Sequence, residues 1–117
     1  MEKTGMHNFP KRGDVYWANL DPTIGTEINK KRPCLIISSD EGNEVSSRVI
    51  VAAITSSVNT VYPFQVKIRI KNKEGKVLLN QIRTIDKQRL DGKKIISLDK
   101  EIIFQVDKAL KIALALV

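Results

Sequence analysis

The spacing of the apolar residues changes once along this chain of 117 residues, near Asp99. Before that point, short segments rich in β-branched and aromatic residues alternate with polar turns. The clearest of them is Phe64–Ile70, where apolar residues occupy one face and Gln65, Lys67 and Arg69 the other. Such segments predict short strands at close spacing. The chain is therefore expected to fold as a mainly β domain, a small antiparallel barrel with a helix packed on it.

Beyond Asp99 the apolar residues recur at helical spacing, with either Ser97 or Asp99 able to cap the first turn. The stripe consists of Ile103, Val106, Leu110, Ala113 and Val117, widened by Ile102, Ala109 and Leu116. This pattern predicts a C-terminal amphipathic helix.

The remaining segments complete the prediction of one domain over residues 11–117, after a flexible lead-in over residues 1–10. We expect a polar turn at D40-E-G-N-E and a short helical turn at Thr84–Arg89. The predicted strands are Val15–Leu20, Cys34–Ser39, Val49–Thr55, Phe64–Ile70, Lys76–Leu79 and Lys94–Ser97.

The formal charge of +7 comes entirely from the second half of the chain. Residues 1–60 hold seven basic and seven acidic side chains, whereas residues 61–117 hold thirteen and six. This asymmetry favours a polyanionic partner, either nucleic acid or an acidic protein segment. A protein that is basic for no binding reason is the alternative, and charge alone does not separate the two.

Several chemistries are excluded or disfavoured by what the sequence lacks. The sole histidine, His7, excludes an acid/base pair of histidines, and no cluster has the spacing of a metal site, so we predict neither metal nor cofactor. The only cysteine, Cys34, lies in an apolar run and is predicted to be a buried thiol. No signal peptide or membrane-spanning run is evident, so a soluble cytoplasmic protein is expected.

Five blocks and one residue, in order and at plausible spacing, resemble the MazF/PemK family of toxins, which cleave RNA. They are R-G-D-V-Y-W (12–17), L-D-P-T-I-G (20–25), Glu27, R-P-C-L-I-I-S (32–38), V-I-V-A-A-I-T-S (49–56) and N-Q-I-R-T-I-D-K-Q-R-L (80–90). The resemblance implies an SH3-like barrel, a homodimer, and neutralisation by a small antitoxin with an acidic tail. It also implies a sequence-specific, metal-independent endoribonuclease acting on single-stranded RNA.

Arg32 and Thr55 are the positions that the family uses for catalysis. Pro33 biases Arg32 toward extended backbone, which presents a planar cation suited to phosphate. The resemblance implies that Arg32 also handles protons, but a pKa above ~12 makes arginine a poor base, so we predict it chiefly as a cation. Since the 2′-hydroxyl of RNA is a built-in nucleophile, a guanidinium and a hydroxyl donor can supply much of the remaining catalysis.

The candidate RNA-binding residues are Glu27, Asn80, Gln81, Ser56, Arg12 and Tyr16. Amide side chains can read the edges of unpaired bases, and the family carries substrate contacts at Asn80 and Gln81. Glu27 contacts RNA, assists proton transfer, or is a plain loop carboxylate. Tyr16 and Trp17 point to opposite faces of one strand, so one is expected in the core while the other can stack on a base.

Some relatives carry a proposed acid and base, an arginine and an aspartate, where this chain has Leu78 and Asn80. That departure shifts the chemical burden to Arg32. Arg83 and Asp86 are expected to form a structural ion pair. Two alternatives are a non-catalytic toxin of the same fold that poisons DNA gyrase, and an RNA-binding module, against which the lack of clustered aromatic residues argues.

Overall fold

A computed structural model of the chain describes residues 8–116, which form one curved antiparallel sheet with two helices. The strands lie side by side in the order β4-β5-β3-β2-β1-β6 and make a half-barrel. This architecture confirms the predicted mainly β fold with a C-terminal helix. The elements are β1 (Asp14–Asn19), β2 (Lys31–Ile36), α1 (Asp40–Val45), β3 (Arg48–Thr55), β4 (Gln65–Ile70), β5 (Lys73–Asp86), a 3₁₀ turn (Lys87–Arg89), β6 (Leu90–Ser97) and α2 (Lys100–Ala113).

Successive residues of a strand point to opposite faces of the sheet, so alternate side chains belong to two apolar clusters, one on each face. Leu35 lies in the first cluster, while its neighbours Cys34 and Ile36 lie in the second. Helix α2 packs on β4 and β5 and covers the first cluster with Val106 and Ala109. Asp99 caps this helix by accepting a hydrogen bond from the Ile102 amide at 3.0 Å, which confirms one of the two predicted caps.

A large irregularity interrupts the pairing of β3 with β5. Ala52 pairs with Ile82 and Ile54 pairs with Val77, so the single residue Ala53 faces the four residues 78–81. A bulge of this kind lifts residues out of the hydrogen-bonded ladder and redirects their side chains. It places Asn80 and Gln81 where the strand is no longer regularly paired.

Two local predictions were wrong, and hydrogen bonding explains both. D40-E-G-N-E is not a turn but the helix α1, because the Ser39 hydroxyl accepts from the Gly42 amide at 3.2 Å and caps it. Strand β5 continues to Asp86, and only the three residues after it form a 3₁₀ turn. Asp86 caps that turn by accepting from the Gln88 amide at 2.8 Å.

The predicted ion pair between Arg83 and Asp86 is also wrong. The Arg83 guanidinium donates instead to the Leu20 carbonyl at 2.8 Å, which ties β5 to the end of β1.

Of the predicted flexible lead-in over residues 1–10, residues 1–7 lie outside the described part of the chain, and Pro10 is buried. No helix within residues 8–116 has the length and apolar character needed to cross a membrane.

Candidate active site

A groove of about 500 Å³ lies at the end of the sheet where β2 begins and β3 ends. Its floor is apolar and includes Ile54 and Ile68, while its rim carries several cations. We call it the cationic groove, and it is lined by Trp17, Lys31, Arg32, Pro33, Ile54, Thr55, Ser56, Ile68, Ile70, Lys71, Lys73, Glu74, Gly75 and Ile95. The two predicted catalytic residues therefore meet in one concavity, together with Ser56.

Arg32 stands on strand β2, opposite Ala18 of β1, with Pro33 directly after it. Its Nε donates to the Asn29 carbonyl at 2.9 Å, which fixes the plane of the guanidinium. Within residues 8–116 the guanidinium makes no ion pair, and its other N–H groups have no protein acceptor. A fixed cation with free donors on a groove rim can bind a phosphate in a defined orientation.

Thr55 is the last residue of β3, and its position depends on a close approach of β5. Its hydroxyl oxygen accepts from the Ser57 amide at 3.3 Å, which leaves the hydroxyl hydrogen available to a ligand. A Cβ added at Gly75 would lie 3.0 Å from the Thr55 carbonyl oxygen and 3.2 Å from a methyl group of Ile54. A larger residue at position 75 would therefore require the end of β3 to move by a few tenths of an ångström.

Trp17, rather than Tyr16, is the aromatic residue of strand β1 that lines the cationic groove. Trp17 remains 43% exposed, whereas Tyr16 packs against the second apolar cluster. Burial, and to a smaller degree the Asp14 carboxylate, raises the pKa of Tyr16 above its ordinary value. Alternation along the strand shows that the two rings face opposite ways. Alternation alone does not show which of the two rings faces the groove.

A second concavity, of about 390 Å³, holds the other predicted contacts. We call it the amide cleft, and it is lined by Glu27, Ile28, Asn80, Gln81, Ile82 and Arg83. Glu27 accepts from the Ile24 amide at 2.7 Å, and Gln81 accepts through Oε1 from the Ile28 amide at 2.8 Å. Both side chains therefore hold the loop between β1 and β2. Asn80 is exposed, and within residues 8–116 its side chain has no protein partner.

The loop between β1 and β2 joins the two concavities. Gln81 holds it at Ile28 from the cleft, and Arg32 holds it at the next residue, Asn29, from the groove. Beneath it lies Cys34, whose pKa is raised to about 12 by burial, although the nearby charges of Arg83 and Arg32 oppose that shift. The cysteine is thus a buried neutral thiol at ordinary pH, as predicted, and not a nucleophile.

Arg12 lies outside both concavities and is engaged in internal contacts. Its Nη2 is 2.7 Å from an Asp107 carboxylate oxygen on α2, and its Nε donates to the Ile37 carbonyl at 2.9 Å. These contacts tie the segment that precedes β1 to helix α2.

Among residues 8–116, no group of three or more His, Cys, Asp or Glu side chains is placed to hold a metal ion.

Comparisons of the sequence with known proteins all match one group, toxins that include endoribonucleases. Residues 11–114 match the family described as PemK-like, MazF-like toxin of type II toxin-antitoxin system. The chain is 48% identical over 112 residues to endoribonuclease EndoA of Bacillus subtilis (strain 168), covering 92% of this chain and 96% of that one. It is 45% identical over 111 residues to endoribonuclease MazF of Staphylococcus epidermidis, covering 91% and 92%.

Solved structures give the same picture at lower identity. MazF from Deinococcus radiodurans superposes with a TM-score of 0.81 at 25% identity, over 92% of this chain and 97% of that one. An endoribonuclease from a mycobacterial species, solved in complex with its cognate antitoxin, superposes with a TM-score of 0.77 at 26% identity, again over 92% and 97%.

Proposed function

This chain belongs to the family of PemK-like, MazF-like toxins of type II toxin–antitoxin systems, as its motifs predicted, and from that premise we propose its chemistry. It is an endoribonuclease toxin. We propose that it cuts single-stranded messenger RNA at specific sequences, without a metal ion, and that residues 11–117 are its single functional domain. The observation that carries the proposal is the meeting of Arg32 and Thr55 on the rim of one groove.

In the proposed reaction the 2′-hydroxyl beside the scissile phosphate attacks phosphorus. A bond forms between the 2′-oxygen and phosphorus, and the bond from phosphorus to the 5′-oxygen breaks. The 2′-hydroxyl loses a proton and the departing 5′-oxygen gains one, which leaves a 2′,3′-cyclic phosphate and a 5′-hydroxyl. The protein must hold these atoms in line and stabilise the extra charge on the phosphate oxygens.

Arg32 and Thr55 are suited to that second task. The free N–H groups of Arg32 donate to non-bridging phosphate oxygens, and the Thr55 hydroxyl supplies one further donor. Lys71 and Lys73, at the tip of the hairpin joining β4 to β5, line the same groove and attract the neighbouring phosphates. Asn80 is placed in the adjoining cleft to read a base edge.

We also propose that the protein is a homodimer that is neutralised by an antitoxin with an acidic tail. The antitoxin bound to the mycobacterial relative supports a protein partner of this kind. The basic face of β4 is less positive than its sequence suggests, because Lys67 and Arg69 each lie 3.4 Å from the Glu74 carboxylate. Lys71 and Lys73 of the cationic groove make no ion pair within residues 8–116 and are therefore the stronger attraction for an acidic segment. We place its activity in the cytoplasm, where its RNA substrate is found.

The test is to incubate the purified protein with a long RNA, with and without EDTA, and to map the new ends. We expect cleavage at a few related sequences, unaffected by EDTA, with cyclic phosphate on the 3′ side of each upstream fragment. An RNA with 2′-deoxyribose at the cut site should bind and resist cleavage. Cleavage of that RNA would contradict the proposed nucleophile.

No observation favours the alternative of a toxin that poisons DNA gyrase, since both relatives carry the name endoribonuclease.

A further inference from the structure

The loop between β3 and β4, residues 56–64, holds two aromatic rings in a stack. The ring centroids of Tyr62 and Phe64 are 5.5 Å apart, and the ring planes differ by 10°. This is the offset parallel arrangement that aromatic rings favour. Tyr62 nevertheless remains 51% exposed. Since Phe64 covers one face of the tyrosine, the exposed part is mainly the other face.

The loop is tied down in a way that keeps Tyr62 in this position. The Gln65 amide donates to the Tyr62 carbonyl at 2.8 Å, and the Tyr62 amide donates to the Gln65 side chain at 3.0 Å. Further back, the ammonium group of Lys76, a residue only 8% exposed, donates to the Thr60 carbonyl. An aromatic side chain on so constrained a backbone is preorganised, so little conformational entropy remains to be lost when a flat ligand binds.

The course of the loop places the stack between the two concavities. Strands β3 and β4 lie on opposite sides of β5, so the loop must cross β5. It leaves the cationic groove at Thr55, and it ends where the Leu79 amide donates to the Phe64 carbonyl at 3.2 Å. The next residue after Leu79 is Asn80 of the amide cleft. A strand of RNA running from Thr55 toward Asn80 would pass this loop.

We infer that Tyr62, backed by Phe64, is a stacking site for one unpaired base next to the cleaved nucleotide. The inference rests on the proposed function, and it adds a subsite outside the lining of both concavities. An unpaired base is a rigid π-surface, and stacking on an aromatic ring tolerates any base. Tyr62 therefore contributes affinity at one nucleotide position, whereas Asn80 contributes the choice of base.

The test uses a short oligoribonucleotide that contains a mapped cleavage site and carries 2′-deoxyribose at the cut nucleotide. Tyr62→Ala should weaken its binding roughly 10- to 100-fold, the range for loss of one base–aromatic stack, and Tyr62→Phe should retain most of it. The sharper measurement removes single bases. At one position an abasic nucleotide should weaken binding to the wild type but cause little further loss with Tyr62→Ala.

Phe104→Ala is the matched control, because Phe104 is an aromatic residue on α2 that is 64% exposed and lines neither concavity. It should leave binding unchanged. If Tyr62→Ala does not fold, Tyr62→Leu retains apolar volume without a ring and should show the same loss. Unchanged binding, or losses additive with every abasic position, would overturn the inference alone. A wild-type protein that cuts no RNA would overturn the proposed function.

Discussion

The cationic groove and the amide cleft adjoin one another, yet they use their polar groups in opposite ways. In the groove, Arg32 donates one N–H to the Asn29 carbonyl, and its other N–H groups have no acceptor among residues 8–116. In the cleft, Glu27 and Gln81 each accept an amide hydrogen from the loop between β1 and β2. The groove thus offers the remaining donors of Arg32 to a ligand, while the cleft uses two of its acceptors to shape a loop. Within residues 8–116, Asn80 and those Arg83 N–H groups that do not bond the Leu20 carbonyl stay open in the cleft.

The difference separates two tasks of a sequence-specific nuclease. Phosphates are the same at every nucleotide, so the charges of the groove act on any RNA that enters it. Bases differ, and amide dipoles in the cleft can distinguish their edges. We therefore expect changes in the groove to alter the rate on all RNA, and changes at Asn80 to alter which RNA is cut.

Replacing Arg32 should have the largest effect. Arg32→Ala removes a groove cation that makes no ion pair within residues 8–116 and should reduce the cleavage rate constant at least ~100-fold, the scale for loss of one strong transition-state donor. The protein should stay folded, since within residues 8–116 the Arg32 side chain makes a single hydrogen bond, to the Asn29 carbonyl. Single-turnover cleavage and thermal unfolding measure the two properties.

Arg48→Ala is the matched control for charge, because Arg48 is exposed at the start of β3 and lines neither concavity. It should cleave RNA at nearly the wild-type rate. If a folded Arg32→Ala protein is as active as this control, Arg32 is not a catalytic residue. The groove and the cleft would then not differ in their effect on the cleavage rate.

Gly75→Ala should have the next largest effect, although residue 75 donates nothing to the substrate. The added Cβ would lie 3.0 Å from the Thr55 carbonyl, so the end of β3 must shift by a few tenths of an ångström. Misplacement of a catalytic group lowers the rate steeply, and we expect a loss of about 10-fold in the cleavage rate constant.

Gly42→Ala is the control for this change, since its Cβ would meet only the Ser39 hydroxyl oxygen, at 3.4 Å. Residue 42 lies in helix α1, where alanine is favoured over glycine. Equal cleavage rates for the two variants would show that the groove tolerates movement of Thr55.

Asn80→Ala should change specificity more than rate. Loss of one hydrogen bond to a base edge is expected to reduce cleavage of the preferred sequence about 3- to 10-fold. Cleavage of sequences that differ at the base read by Asn80 should fall much less. Sequencing the ends produced from one long RNA gives the whole distribution of cut sites, with Gln105→Ala, an exposed amide on α2, as the control. A uniform fall at every site would place Asn80 in the same class as Arg32.

Much of this arrangement could be predicted from sequence, because strand alternation and helix period are local signals. The positions of β1, β3 and β4, the cap at Asp99 and the meeting of Arg32 with Thr55 in one groove follow from such signals or from the family motifs. Strands β2 and β6 were predicted with only part of their length, since β2 begins at Lys31 and β6 at Leu90. Strand β5 was recognised only in part, since its bulge at residues 78–81 breaks the alternation.

What sequence reasoning missed depends on contacts between distant residues or on caps without an apolar pattern. Arg83 donates to Leu20, which lies 63 positions earlier, and no local rule reveals that partner. Helix α1 has six residues and rests on the Ser39 cap rather than on an apolar stripe. The stack of Tyr62 on Phe64 had a signal, two aromatic residues two positions apart in one loop, but its exposure depends on the ties from Gln65 and Lys76.

The smallest effect concerns Cys34, whose pKa is influenced both by Arg32 of the groove and by Arg83 of the cleft. Burial raises the pKa of this thiol from an ordinary 9.0 to about 12, so the folded protein keeps a proton that the unfolded chain releases above pH 9. By linkage, the contribution to stability is complete below pH 9 and declines between pH 9 and 12. At pH 9.5 the loss should be about 1 kcal/mol in the free energy of unfolding.

Other groups also titrate in this range, so the measurement is a difference between two proteins. Cys34→Ala lacks the thiol, and its free energy of unfolding should fall less steeply with pH than that of the wild type. Arg32 and Arg83 both favour the thiolate, one from each region, and removing either charge should steepen the wild-type slope slightly. Parallel curves for the wild type and Cys34→Ala would show that the thiol is not held neutral between the two regions. A slope that responds to Arg83 but not to Arg32 would show that the thiol is coupled to the charge of the amide cleft alone.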